Sequence, residues 1–169
     1  EFVNYWRDAK RILKQRNILL KKRSPKNQIV IWDKNLIILS EKINDLRSQY
    51  FTEFMEILSP KIKKAFPEIP IKITYYKGWS ADISFAQSLD KSFESDIKVG
   101  YTRPGAHRAD LKISVHGQSA TQILSQGQQK TLASLIFLTQ ATLFNKHQKN
   151  PCVILLDDLN SELDQNNLK

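Results

Sequence analysis

The sequence predicts a mixed α/β (α+β) protein, an antiparallel helical hairpin followed by a sheet-bearing part. Three observations carry this. Apolar residues recur at helical spacing from Phe2 to Ile57, the period shortens to two over Ile71 to Trp79, and a continuous apolar run from Cys152 ends on Asp157-Asp158. A period near 3.6 marks a helix with one buried face, a period of two marks a half-buried strand, and an unbroken apolar run suits a strand covered on both faces.

Phe2, Trp6, Ala9, Leu13 and Leu20 form the first stripe, with one place missing at Arg16 and with Tyr5, Ile12 and Leu19 widening it. Ser24-Pro25 then reads as a turn. Trp32, Leu36, Leu39, Ile43, Leu46, Tyr50, Phe54 and Ile57 follow at close to seven residues per two turns, the spacing of helices packed along a seam. Two such helices joined by a short turn lie antiparallel. Pro60 is expected to kink the second helix or start a new turn, and Pro67 to end it. Ile71 to Trp79 reads as a strand. Ile83, Ala86, Leu89 and Phe93 return to helical spacing. "KVGYTRPGAHRADLKISVHG" reads as two short strands around a Pro-Gly loop. A helix is expected from about Gln126, largely buried, because Leu132, Leu135, Ile136, Leu138 and Leu143 surround much of its cylinder. Asn150-Pro151 ends it, and "CVILLDD" reads as a central parallel strand. There is no internal repeat and no low-complexity tract.

The 169 residues suit one domain or two small ones, with 41% hydrophobic and 25% charged residues, ordinary for a folded soluble protein. No apolar run is long enough to cross a bilayer, and the start carries no signal-peptide pattern. The first residue is Glu1, in mid-pattern, which suggests a piece of a longer chain. The single cysteine, Cys152, excludes an internal disulfide framework and fits a reducing compartment; it reads as a small buried hydrophobe. The net charge of +9 is concentrated: residues 1–26 hold nine Lys and Arg against Glu1 and Asp8, a net +7. Such a face favours a polyanion, nucleic acid first, with a solvated helix face as the alternative. The candidate phosphate contacts are Lys14, Lys21, Lys22 and Arg23.

Two stretches carry chemistry. In "LSQGQQK", Ser125 is a good N-cap, Gly127 admits close backbone approach, and the first turn of the helix offers unpaired N–H groups to an anion; plain capping is the competing reading. In "VILLDDLNSELD", an apolar strand delivers two carboxylates to the end of a sheet, where ligands bind in open α/β folds. Asp157 suits Mg²⁺, and Asp158 suits orienting or deprotonating a water. The alternative is a strand-end aspartate capping the next loop. His107 and Arg108, in a Pro-Gly loop, read either as a ligand or conformational contact or as a loop brace. Tyr75, Tyr76 and Trp79 read as core sooner than as a base-stacking platform.

Taken in order, "LSQGQ", a buried helix, "ILLDD" and "SELD" resemble the signature motif, Walker B strand and D-loop of ABC-type ATPases. Within that superfamily the chain resembles the RecF family. "GYTRPGAHRADLKI" is similar to the family's Gly-Pro-His-Arg-Asp segment, and "LKQRNILLK" with the long helix from Trp32 also fits. The resemblance spans nearly the whole chain and is strongest from Gly100 to Asp164. Ala106 stands where the family usually has proline. Asp158 stands where many ABC ATPases have glutamate and RecF-like sequences commonly have aspartate, consistent with slow turnover.

The resemblance implies a helical lid with a basic hairpin over residues 1–99 and a partial ABC-type ATPase head with a mixed sheet over 100–169. It implies ATP and Mg²⁺, with Asp157 at the metal, Asp158 catalytic, and Ser161 and Asp164 in the D-loop. Ser125, Gln126, Gly127 and Gln128 would close over ATP held by a second copy, in an ATP-dependent homodimer. It further implies a cytoplasmic DNA-binding factor of recombination, replication and the SOS response. Such a factor helps load a recombinase at gapped or single-strand/double-strand junction DNA with RecO- and RecR-type partners. The whole protein would be a slow DNA-dependent ATPase. No Gly-x-x-x-x-Gly-Lys-Ser/Thr loop occurs in these residues; it is expected upstream in the longer chain, so this piece alone should not hydrolyse ATP. Other readings are an SMC- or Rad50-like head, whose coiled coil should be far longer, a transporter ATPase subunit, which lacks a long basic hairpin, and a non-enzymatic helical interaction module.

Overall fold

A computed structural model describes residues 1–147 and Val153. The expected strand over "CVILLDD" and its residues Cys152, Asp157 and Asp158, together with Ser161 and Asp164, lie outside the described residues. The elements in order are α1 (Phe2–Lys21), α2 (Lys26–Ala65), β1 (Ile71–Tyr76), α3 (Phe85–Val99), a 3₁₀ turn (Ala106–Arg108), β2 (Asp110–Val115), β3 (Gln118–Ser119), α4 (Ala120–Ile123) and α5 (Gln126–His147). The described residues pack as two compact units, one of Glu1–Gln49 with Tyr75–Leu111, the other of Tyr50–Thr74 with the described residues from Lys112 onward.

The first unit contains the hairpin. The Arg47 guanidinium lies 4.8 Å from the Trp6 ring, Lys42 Nζ lies 5.1 Å from the Tyr5 ring, and Arg16 reaches Asp33. Leu20 clusters with Ile29. Partner numbers fall as α1 advances, so α1 and the first part of α2 are antiparallel, as the stripes predict. The reversal is tight. Arg23 N–H donates to the Leu20 carbonyl and Ser24 N–H to the Leu19 carbonyl, both at 3.0 Å, which closes the last carbonyls of α1 in a Schellman arrangement. This requires Arg23 at φ 51°, where glycine is the usual residue. α3 starts on a capping box in which Ser84 Oγ accepts the Gln87 N–H while Gln87 Oε1 accepts the Ser84 N–H. It ends at Gly100, left-handed at φ 74°. The core joins Ala9, Ile12, Leu36, Ile43, Trp79, Phe85, Leu89 and Ala106.

In the second unit, Phe54, Leu58, Ile62 and Phe66 pack with Ile73, Val115, Leu124, Leu132 and Leu143. The sheet among the described residues runs β1-β2-β3, and β2 pairs antiparallel with β3 in the register Val115↔Gln118. The two residues between, His116 (φ 49°) and Gly117 (φ 81°), make the left-handed two-residue turn that suits strand twist.

Three expectations change. Lys98 and Val99 are the last turn of α3, not a strand, because Gly100 caps the helix and "VGY" only mimics alternation. Of the two outcomes expected at Pro60, the start of a new turn does not occur: Pro60 lies inside α2, which runs on to Ala65. α5 is buried on one side only: Leu132 and Leu143 are enclosed, whereas Phe137 is 66% and Phe144 50% exposed.

Candidate functional site

Ser125 and Gln128 form a reciprocal cap at the start of α5. Ser125 Oγ accepts the Gln128 N–H at 3.2 Å, and Gln128 Oε1 accepts the Ser125 N–H at 2.9 Å. Gln129 braces the approach by donating from Nε2 to the Leu124 carbonyl at 2.8 Å. The N–H groups of Gln126 and Gly127 have no partner among the described residues, and Ser125 and Gln126 are exposed. A Cβ at Gly127 would meet nothing within 4 Å, so the helix start is open to an approaching ligand. Two free N–H groups at the positive end of a helix suit an anion such as a phosphate oxygen. Among the described residues no group of three or more His, Cys, Asp or Glu is arranged to hold a metal.

The four hairpin cations, Lys14, Lys21, Lys22 and Arg23, are all exposed. Arg7, Arg11, Lys14 and Lys21 follow one another at four, three and seven residues and share one face of α1. Two members of the basic segment do not belong to it. Lys26 Nζ pairs with Asp90 at 3.1 Å. Arg16 is fully buried: Nε donates to Asp33 Oδ1 at 2.7 Å, and Nη1 to Asp96 Oδ2 at 3.1 Å and Thr102 Oγ1 at 2.8 Å. The positive face is therefore smaller than the count of nine suggests.

Sequence reasoning missed this network. Asp96 also accepts from Ser92 Oγ and from the Arg103 N–H, both at 3.1 Å. Asn17 Oδ1 accepts the N–H and hydroxyl of Thr102, at 2.8 and 2.7 Å. The signal was present as the polar gap in the apolar stripe of α1. The network fixes the loop from Thr102 to Arg108. Gly105 N–H donates to the Gly78 carbonyl at 2.9 Å, and a Cβ on Gly78 would lie 2.0 Å from the Gly105 oxygen, so only glycine fits there. Arg47 Nη1 donates to the Ala106 carbonyl at 2.6 Å. His107 Nε2–H donates to the Thr102 carbonyl at 3.1 Å, and burial lowers its pKa below the usual histidine value more than that bond raises it. The Arg108 guanidinium lies 5.7 Å from the Tyr101 ring. Both His107 and Arg108 are thus engaged within their own loop.

No protein-family model matches the chain. It is 42% identical over 167 residues to the DNA replication and repair protein RecF of Hydrogenovibrio crunogenus, and 38% identical over 165 residues to that of Proteus mirabilis. These alignments cover 97% and 98% of the chain and 46% of each relative, so the chain spans about half the length of the curated relatives it matches. Among solved structures, the recombination mediator protein RecF with ATP, of the RecFOR pathway, superposes with a TM-score of 0.81 at 27% identity, over 96% of this chain and 48% of that one. Sequence and backbone agree: over the stretch it spans, the chain fits a fragment of a RecF protein.

Proposed function

We propose that the chain serves in DNA recombination and repair as the lid and signature portion of an ATP-switched, DNA-binding mediator. The observation that carries the switch is the start of α5: a rigidly capped, solvent-facing helix end with two unpartnered N–H groups, on the motif that resembles an ABC signature. Ser125, Gln126, Gly127 and Gln128 meet the γ-phosphate of ATP held by a second copy, so ATP drives homodimerisation. ATP supplies the triphosphate that bridges the two copies. Asp157 is the proposed Mg²⁺ ligand, Asp158 the residue that orients water, and Ser161 and Asp164 belong to the D-loop. The lid covers roughly residues 1–99 and the partial head 100–169. The exposed face of α1 with Lys22 and Arg23 holds DNA phosphates, at gapped or single-strand/double-strand junction DNA, where the protein acts with RecO- and RecR-type partners to load a recombinase. The RecFOR-pathway and ATP-bound names of the structural relatives support this reading.

Ser125→Arg in the full-length protein tests the switch. Loss of the cap costs about 1 kcal/mol, too little to unfold the protein. ATP-dependent dimerisation, followed by sedimentation velocity, should be abolished while nucleotide affinity of the monomer stays within about twofold (~0.4 kcal/mol). An equal fall in both would contradict action on a second copy's nucleotide.

A further inference from the structure

An open cleft of about 320 Å³ lies in the first unit, between α3, the β1–α3 loop and the Thr102–Arg108 loop. Lys91 and Arg103 line it with Ser88, Ser92, Ser95 and Trp79, and no carboxylate does. None of the α1 cations lines it. Ser88, Lys91, Ser92 and Ser95 lie three, four and seven residues apart along α3 and so share one face of the helix, beside the buried stripe of Phe85, Leu89 and Phe93.

The hydroxyls divide by what they already do. Ser92 Oγ is committed to Asp96 and the Leu89 carbonyl, Ser95 Oγ donates to the Ser92 carbonyl at 2.7 Å, and Ser80 Oγ faces Asp82 at 3.2 Å. Ser88 Oγ has no partner among the described residues, and neither the Lys91 ammonium nor the Arg103 guanidinium is paired with a carboxylate among them. Three free donors, two of them charged, therefore line a cleft whose other serine hydroxyls already donate elsewhere. The backbone that carries Arg103 is fixed by its own N–H on Asp96 Oδ1 and by the Gly78–Gly105 contact, so little ordering is left to be done on binding. A tetrahedral oxyanion matches this donor set, and arginine with lysine is the pairing that holds phosphate.

We infer that this cleft is a phosphate-binding site, separate from the basic face of α1 and from the start of α5. The phosphate comes from a nucleic-acid strand or from a free phosphorylated molecule, and the chemistry of recognition is the same.

The test uses the full-length protein with Lys91→Gln/Arg103→Gln, and separately Ser88→Asp, both at positions outside the core. In one arm, duplex DNA binding is followed by fluorescence anisotropy across a salt series. Loss of this one phosphate contact should weaken binding roughly tenfold and make the slope of log K against log salt shallower by about 0.9. In the other arm, inorganic phosphate is added and hydrogen exchange of the Ser88–Ser95 segment is measured. Protection that both variants abolish, with DNA binding unchanged, identifies a free phosphorylated ligand. If both variants keep wild-type circular dichroism, DNA affinity and salt slope, and phosphate protects nothing, the assignment is wrong.

Discussion

Arg16→Met should be among the most damaging single changes in the first unit. Methionine keeps most of the buried stem but removes the charge and three hydrogen bonds. The Asp96 side chain is 0% exposed, so it would keep only Ser92 Oγ and the Arg103 N–H and sit as an uncompensated buried charge. Thr102 Oγ1 would lose its donor as well. Asp33 adds less, since its side chain is 14% exposed and water can partly replace the guanidinium. Removing one partner of a buried pair costs about 3–5 kcal/mol, a large part of a typical folding stability of about 5–15 kcal/mol. At a urea m-value of about 1–3 kcal/mol/M, the midpoint should fall by at least about 1 M. Asp96→Asn should also destabilise, but adding it to Arg16→Met should cost far less than the sum, because the double variant leaves no charge stranded at position 96; the coupling should be about 2 kcal/mol. Urea unfolding followed by far-UV circular dichroism on the four proteins of this cycle measures it. Additive losses, or a loss below about 1 kcal/mol for Arg16→Met, would refute the account of Arg16 as the fixed centre of the unit.

His107 titrates below the ordinary histidine value because burial opposes its charge. Above about pH 6.5 both folded and unfolded forms are neutral there, and as pH falls the unfolded chain takes the proton first, so stability is lost from about pH 6.5 down through the lowered folded value. Thermal midpoints at about pH 7.5 and 5.5 should therefore differ less in His107→Gln than in wild type, and an unchanged difference would contradict the buried neutral imidazole. Replacing Lys14, Lys21, Lys22 and Arg23 together by glutamine in the full-length protein should weaken duplex binding for all sequences and make the salt slope shallower by up to about 3.6, with helicity unchanged. Retained affinity and slope would make that face a solvated one.

The parts of this fold legible in the sequence are those with short-range causes. The stripe from Phe2 to Leu20 and the stripe from Trp32 onward specify two helices, and Ser24-Pro25 marks the reversal. Ser125 and Gln128, three apart, specify the cap of α5. The Arg16 network could not be read in this way, because its partners Asp33, Asp96 and Thr102 stand 17, 80 and 86 residues away. The gap at Arg16 showed only that the stripe was broken, and a lone arginine there reads equally as part of a positive surface. Gly100 misled in the opposite direction: apolar Val99 and Tyr101 around it imitate a strand, whereas its left-handed backbone ends α3. The approach of Gly78 to Gly105 joins two loops that no local pattern connects.

Mixing two inactive variants of the full-length protein tests the proposed switch most directly. One carries Ser125→Arg and the other Asp158→Asn, so neither forms a complete nucleotide site with its own kind. If the signature acts on a second copy's ATP, a mixed dimer pairs an intact Asp158 with the partner's intact Ser125, and phosphate release reappears on mixing. If both motifs serve the same subunit's nucleotide, every site in the mixture is defective, and the rate stays at that of the separate variants.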